Sequence, residues 1–172
     1  MEIREIESCI NKIPDFPKPG ILFYDISSLI SHKNAFKACI DQLTKVTEKY
    51  DFELIAAIDA RGFIFASAIA YKLEKGLVMV RKKDKLPGKK INYEYKLEYG
   101  TDTLEVNIDL NSKKLLLVDD LLATGGTANA AVQLIKKSGG LVTCFISLIE
   151  LDFLSGRKEL DVPIESLINY LE

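Results

Sequence analysis

Asp119 and Asp120 stand side by side, and Leu121, Leu122, Ala123, Thr124, Gly125, Gly126 and Thr127 follow without a break. A Gly-Gly turn lets backbone N–H groups approach an anion closely. If a helix opens there, its N-terminus adds a partial positive charge, so a phosphate is the natural occupant. The two carboxylates ask for something else. They would repel a bare phosphate but accept hydrogen bonds from vicinal hydroxyls, directly or around a divalent cation. A ribose 5-phosphate answers both halves. An ordinary strand-to-helix connection can share the Val-Asp-Asp and glycine pattern, and the TGGT run is what separates the two readings.

These residues need a strand before them and a helix behind them. Leu115 to Val118 form a short continuous apolar run with polar flanks, as in a strand buried on both faces of a parallel sheet. That places Asp119 and Asp120 at the strand's carboxyl end, where ligands of open α/β sheets bind. Ala130, Ala131, Leu134 and Ile135 keep helical spacing, with Thr127 or Thr124 as the N-cap and Gly139-Gly140 as the stop. Related motifs are excluded. A triphosphatase P-loop needs a Lys directly after its last glycine, and none follows Gly126 before Lys136; GxGxxG is absent. A phosphoacceptor receiver domain would need more chain than the 52 residues after Asp120.

The same logic recurs upstream. Leu54 to Ile58 reads as a buried strand, Asp59-Ala60-Arg61-Gly62 as a tight turn, and Phe63, Ala66, Ile69, Ala70 and Leu73 as a helix closed by Gly76. Leu77 to Val80 is a third strand, delivering Arg81, Lys82, Lys83 and Lys85 to its carboxyl end, a position that suits a polyanion. Tyr93, Tyr95, Leu97 and Tyr99, then Leu104, Val106 and Ile108, alternate with polar residues and predict two exposed antiparallel strands with a turn at Gly100 to Thr103. At the N-terminus Ile3, Ile6, Ile10 and Ile13 predict one amphipathic helix stopped by Pro14, and Phe16-Pro17-Lys18-Pro19-Gly20 predicts a fixed turn before Ile21-Leu22-Phe23. Phe36 to Tyr50 carries a helix ending near Asp51. Leu141 to Ile149 reads as a strand, and Val162 to Leu171 as a final one near the N-terminal segment.

Length and charge narrow the class. At 172 residues and 48% hydrophobic content the chain suits one domain, 1–172. A net charge of −2 gives no basic field for nucleic acid, and no apolar stretch approaches a membrane span or a secretion signal. A cytoplasmic protein is expected. Cys9, Cys39 and Cys144 are scattered singly and read as reduced thiols, and His32, the one histidine, reads as a cap or loop flank, leaving no parts for a Ser-His-Asp relay.

The segment LLLVDDLLATGGT resembles the phosphoribosyl pyrophosphate (PRPP) motif of type I phosphoribosyltransferases, in the form carried by the adenine-specific branch. FPKPGILFYDIS at 16–27, DARGFIFA at 59–66, and RKKDKLPG with YKLEYG at 81–88 and 95–100 resemble further blocks of that family. The resemblance implies an α/β fold with a doubly wound, mainly parallel sheet, a small hood over about 1–30 and a mobile β flap over about 91–110. It implies transfer of the 5-phosphoribosyl group from PRPP to adenine, giving AMP and pyrophosphate, with Mg2+ held mainly through PRPP near Asp119 and Asp120.

By the same resemblance Ala123 to Thr127, Asp119, Asp120, Asp59, Ala60, Arg81 and Lys85 bind PRPP. Leu22, Phe23, Arg61 and Leu121 bind adenine, Glu98 is catalytic, and the enzyme is a homodimer in which Arg81 reaches across the two-fold. Ala60 stands where the family often has Ser, and Tyr24 where some members have Arg. A transferase for another base would keep the same PRPP half. A PRPP-sensing regulator would keep the cradle and lose catalysis, but retention of Glu98 and the lack of length for a nucleic-acid arm speak against it.

Overall fold

The computed structural model describes residues 1–96 and 100–172. Five parallel strands form its centre: β3 (Leu54–Ile58), β4 (Gly76–Lys82), β7 (Lys114–Leu122), β8 (Leu141–Leu151) and β9 (Ile164–Tyr170). The hairpin β5 (Ile91–Lys96) and β6 (Thr101–Val106) extends the sheet antiparallel, in the order β5-β6-β4-β3-β7-β8-β9. Leu115 to Val118 are buried on both faces, as the unbroken apolar run predicts. One face carries α1 (Ile3–Glu7), α2 (Ser27–Ser31), α3 (Lys33–Thr47) and α4 (Gly62–Lys72), whose Ile6, Leu29, Leu43, Phe65 and Ile69 pack on Ile55, Leu116 and Ile146. The other carries α5 (Gly126–Lys137), whose Ala131, Leu134 and Ile135 pack on Ala56, Leu115, Leu117 and Phe145. Each large side chain so buried contributes roughly 1.5–3 kcal/mol, so both faces are needed to hold the strand ends in line.

Local chemistry sets several boundaries apart from the periodicity. The predicted N-terminal helix is shorter: α1 ends at Glu7, and Asn11–Ile13 forms β1, pairing antiparallel with β2 (Phe23–Asp25) so that Ile13 faces Phe23. A short isolated helix gains little by itself, whereas pairing across the Pro-Gly turn satisfies the backbone of both arms. His32 caps α3, its Nδ1 accepting from the Ala35 N–H at 3.1 Å. α3 stops at Thr47, and α4 stops at Lys72, before Gly76, which begins β4. The predicted exposed flap is also corrected. Leu104 and Val106 are fully buried because β6 pairs with β4, Arg81 opposite Glu105 and Lys82 opposite Leu104. Thr101 to Thr103 lie in β6 instead of a turn, with Thr101 opposite Lys96. β9 runs beside the N-terminal hairpin, where Tyr170 stacks on Tyr24 at 4.3 Å between centroids.

Candidate active site

The carboxyl ends of β3 and β7 open into a cleft of about 280 Å³. Asp59, Ala60, Arg61, Asp119, Asp120, Leu121 and Ala123 through Thr127, all singled out in the sequence, line it. β7 runs on through Leu122, so Asp119 and Asp120 are held inside the strand, beyond the apolar run but before its end. Strand alternation turns the two carboxylates in different directions. Asp119 accepts the Asp120 N–H at 2.8 Å, while Asp120 is 4% exposed and its Oδ2 lies 2.9 Å from Arg61 Nε in an ionic contact that lacks hydrogen-bond geometry. That oxygen is buried with no hydrogen-bond donor.

Electrostatics follow from the burial. Burial and then the charge of Asp120 push the Asp119 carboxyl well above the usual carboxylate range. Burial also raises Asp120, against the opposing charge of Arg61. Two carboxylates held this way gain from any hydroxyl donor or cation entering the cleft.

The glycine end of the cleft is backbone chemistry. Gly125 occupies the N-cap of α5 at φ +85°, a left-handed conformation that disfavours side chains, so the predicted Thr124 or Thr127 cap is corrected. Thr127 instead sits in the first turn of α5, its Oγ1 3.3 Å from the Tyr95 hydroxyl. The upstream turn is brought close by Gly62: a Cβ there would meet the Val118 carbonyl oxygen at 2.8 Å and Asp119 Cα at 3.1 Å. The Asp59–Ala60 peptide in that turn is cis.

Arg61 joins two regions. While pairing with Asp120 its guanidinium carbon lies 5.5 Å from the centroid of Phe23, and Phe16 meets Phe23 edge-on at 5.0 Å. Phe23 is half-buried and Leu22 is 42% exposed, and neither lines the cleft. Arg81 Nε pairs with Asp59 at 3.1 Å beside the ring of Phe63. Lys85 is exposed, with its carbonyl 3.5 Å from Arg81 Nη1, and it does not line the cleft. Lys82 lines it instead, 3.6 Å from Asp102. Tyr95 and Asp102, opposite each other in the hairpin, line it as well, and sequence reasoning missed both as site residues. The period-two pattern already placed Tyr95 on a strand face, but nothing local said which end of the sheet that face would meet. Glu98 lies outside the described residues.

A carboxylate pair before a glycine-opened helix, facing a second acidic turn across a parallel sheet, defines a class. The chain belongs to the phosphoribosyltransferase family, whose phosphoribosyl transferase domain matches residues 25–167. It is 50% identical over 173 residues to the adenine phosphoribosyltransferase of Thermoanaerobacter sp. strain X514, covering 99% of this chain and 100% of that one. It is 49% identical to that of Acidiphilium cryptum, with 94% and 95% covered. The crystal structure of adenine phosphoribosyltransferase from Thermoanaerobacter pseudethanolicus superposes with a TM-score of 0.95 at 49% identity, covering 98% of this chain and 99% of that one. The Saccharomyces cerevisiae enzyme, solved with adenine and an imino-altritol bisphosphate, gives 0.90 at 33% identity, with 96% and 97% covered. Within the family the chain falls among the adenine phosphoribosyltransferases.

Proposed function

We propose that this enzyme transfers the 5-phosphoribosyl group of PRPP to adenine, yielding AMP and pyrophosphate in purine salvage. The observation that carries the reading is the acidic pair of half-buried Asp119 and buried Asp120, one Asp120 oxygen lacking a donor, shortly before the glycine-capped N-terminus of α5. The 5-phosphate rests on the backbone of Ala123 to Thr127, and the ribose hydroxyls donate to the two aspartates. Fixing both ends of the sugar is an orientation effect. As the C1–oxygen bond to pyrophosphate breaks, C1 becomes cationic and the nearby carboxylates stabilise it electrostatically. Pyrophosphate leaves toward the Asp59–Arg61 turn and Lys82, with Arg81 beside it.

The purine stacks on Phe23 with Arg61 and Leu121 at its edge, and Glu98 takes the proton released as a ring nitrogen bonds to C1. Leu22 contributes through its backbone. Magnesium belongs to this reading. Asp119 and Asp120 are hard oxygen donors, and an oxygen without a hydrogen-bond partner suits a hydrated divalent cation. In this reading Asp119 and Asp120 would stand near the ion, which would be held mainly through PRPP. When bound, it neutralises charge on the departing pyrophosphate.

One domain over 1–172 and a homodimer complete the proposal. Leu77 and Met79 of β4 are 38% and 45% exposed on the face that carries α3 and α4, and Ile64 and Tyr71 of α4 are 38% and 89% exposed. This bare apolar strip next to Arg81 supports pairing with a second copy that brings Arg81 toward the neighbouring site. A cytoplasmic setting is supported by three free thiols. The deciding assay is product formation from PRPP with adenine, hypoxanthine, guanine and orotate in parallel: AMP should form orders of magnitude faster than the other nucleotides. Equal turnover of guanine would overturn the base assignment. Hybrids of Arg81→Ala and Glu98→Ala chains should regain up to about half of wild-type activity, because one site of each hybrid is then intact. Verified chain exchange without recovery would leave Arg81 acting within its own chain.

A further inference from the structure

Gly156 lies far along the chain from the phosphate loop, yet touches it. A Cβ on Gly156 would meet the Ala123 carbonyl oxygen at 2.1 Å, the Gly125 nitrogen at 2.8 Å and the Thr124 carbonyl carbon at 2.9 Å. The contact is mutual, since a Cβ on Gly125 would meet the Gly156 carbonyl oxygen at 2.3 Å. Gly125 needs glycine for its backbone angle as well. Gly156 opens a 3₁₀ turn, Gly156–Glu159, in ordinary backbone space, so only the lack of room excludes a side chain there.

The segment bearing Gly156 is itself fastened. Arg157 donates Nε to Glu150 Oε1 at 2.9 Å and Nη2 to Oε2 at 2.5 Å, while its Nη1 donates to the Ile164 carbonyl at 3.1 Å. Glu150 is 2% exposed, and Asn169 donates to Asp152 at 3.1 Å. The turn is thus tied through Arg157 to the carboxyl end of β8 and the start of β9, and the residues just before it are tied through Asp152 to the end of β9.

We propose that Gly156 and Arg157 are positioning residues for PRPP: the clamped turn presses backbone to backbone on Ala123 to Gly125 and holds the N–H groups at the start of α5 in the orientation that receives the 5-phosphate. The inference rests on the reading of that loop as the 5-phosphate cradle. Neither residue lines the cleft, and both act through the loop. A side chain at 156 pushes the loop into the cleft or lifts it away, and loss of the Arg157 fork lets the turn drift from it.

The test combines steady-state kinetics with ribose 5-phosphate titrations followed through the amide resonances of Gly125, Gly126 and Thr127. Gly156→Ala should raise the KM for PRPP and the Kd for ribose 5-phosphate at least tenfold, with the KM for adenine within twofold. Arg157→Lys retains charge without the fork, and should raise the PRPP KM about threefold and shift the same amide resonances in the free enzyme. If Gly156→Ala folds and its PRPP KM stays within twofold of wild type, the brace is wrong. If that variant does not fold, an Arg157→Lys enzyme with unchanged PRPP KM and unchanged loop resonances overturns it equally. Failure of ribose 5-phosphate to move the wild-type loop resonances would overturn the cradle itself, and the brace with it.

Discussion

Asp120 and Glu150 are both buried carboxylates near the carboxyl ends of adjacent strands, 4% and 2% exposed, and the protein treats them in opposite ways. Glu150 receives two guanidinium donors. Burial pushes its carboxyl up, but hydrogen bonds from Arg157, helped by Ser166 and the Arg157 charge, outweigh burial and hold it below its ordinary value. Asp120 has an arginine close by and yet keeps one oxygen without a donor, and its carboxyl is raised. A satisfied buried carboxylate is part of the scaffold. An unsatisfied one, kept at an energetic cost beside a cleft, is reserved for what enters it.

Substitution should separate the two most sharply. Asp120→Asn should lower kcat/KM for PRPP about a hundredfold if, as proposed, the charge serves the ribose and its developing cation. Its melting temperature should change little, because burial holds that charge at a cost and only an ionic contact with a part-exposed Arg61 is lost, with no hydrogen bond to Oδ2. Glu150→Gln should do the reverse in the melting assay, stranding Arg157. A buried pair broken on one side costs about 3–5 kcal/mol. Because the Arg157 side chain is 49% exposed and its charge screened, about 2 kcal/mol is expected, a fall of roughly 4–8 °C for a chain of this size. An Asp120→Asn enzyme that melts far below wild type yet stays active when folded would erase the distinction.

The pH dependence sharpens it further. A raised carboxyl in the folded state holds a proton that the unfolded chain has released, so stability is lost as pH rises through the raised value. The melting temperature of the ligand-free Asp119→Asn variant should therefore exceed wild type at about pH 7.5, and the gap should narrow toward about pH 5. The lowered Glu150 carboxyl contributes stability above its unfolded value and loses it as pH falls through the folded one. The difference between wild type and Glu150→Gln should accordingly persist at neutral pH and close only in acid. A constant Asp119→Asn gap across the range would mean that the pair does not titrate as its burial requires.

The smallest expected effect concerns the hairpin. Tyr95→Phe removes a hydroxyl 3.3 Å from Thr127 Oγ1 and 3.4 Å from Asp102, contacts at the long end of hydrogen bonding. A twofold to fivefold rise in PRPP KM with an unchanged melting temperature is expected. A larger loss of kcat would move Tyr95 into the chemistry itself.

How much of this could be read beforehand depends on whether the signal was local. The strand of Leu115 to Val118, the acidic pair and the glycine-opened helix are contiguous, and each local preference agrees with the fold. The second acidic turn was legible for the same reason. Lys82 was not preferred over Lys85 because nothing local shows that β4 runs on through Lys82, where pairing opposite Leu104 continues the alternation of Val78 and Val80 and turns Lys82 to their face. Tyr95 and Asp102 depend on one hairpin register, and the cap at Gly125 on a distant turn at Gly156. The isoleucine spacing from Ile3 to Ile13 was real, with Ile6 and Ile10 buried, but a helical turn followed by a loop buries them as well as a continuous helix does.

Arg61 pairs with Asp120 through Nε while its guanidinium carbon lies over Phe23, so on the proposed reading the sugar and base subsites share a single cation. Such sharing makes the two subsites one thermodynamic object. Any sugar phosphate that changes the hold of Asp120 on Arg61 changes the surface offered to the purine, and the purine must alter affinity for the sugar phosphate by the same factor. Selectivity for the base is then a property of the loaded enzyme, and screening purines against the empty one would measure a different protein.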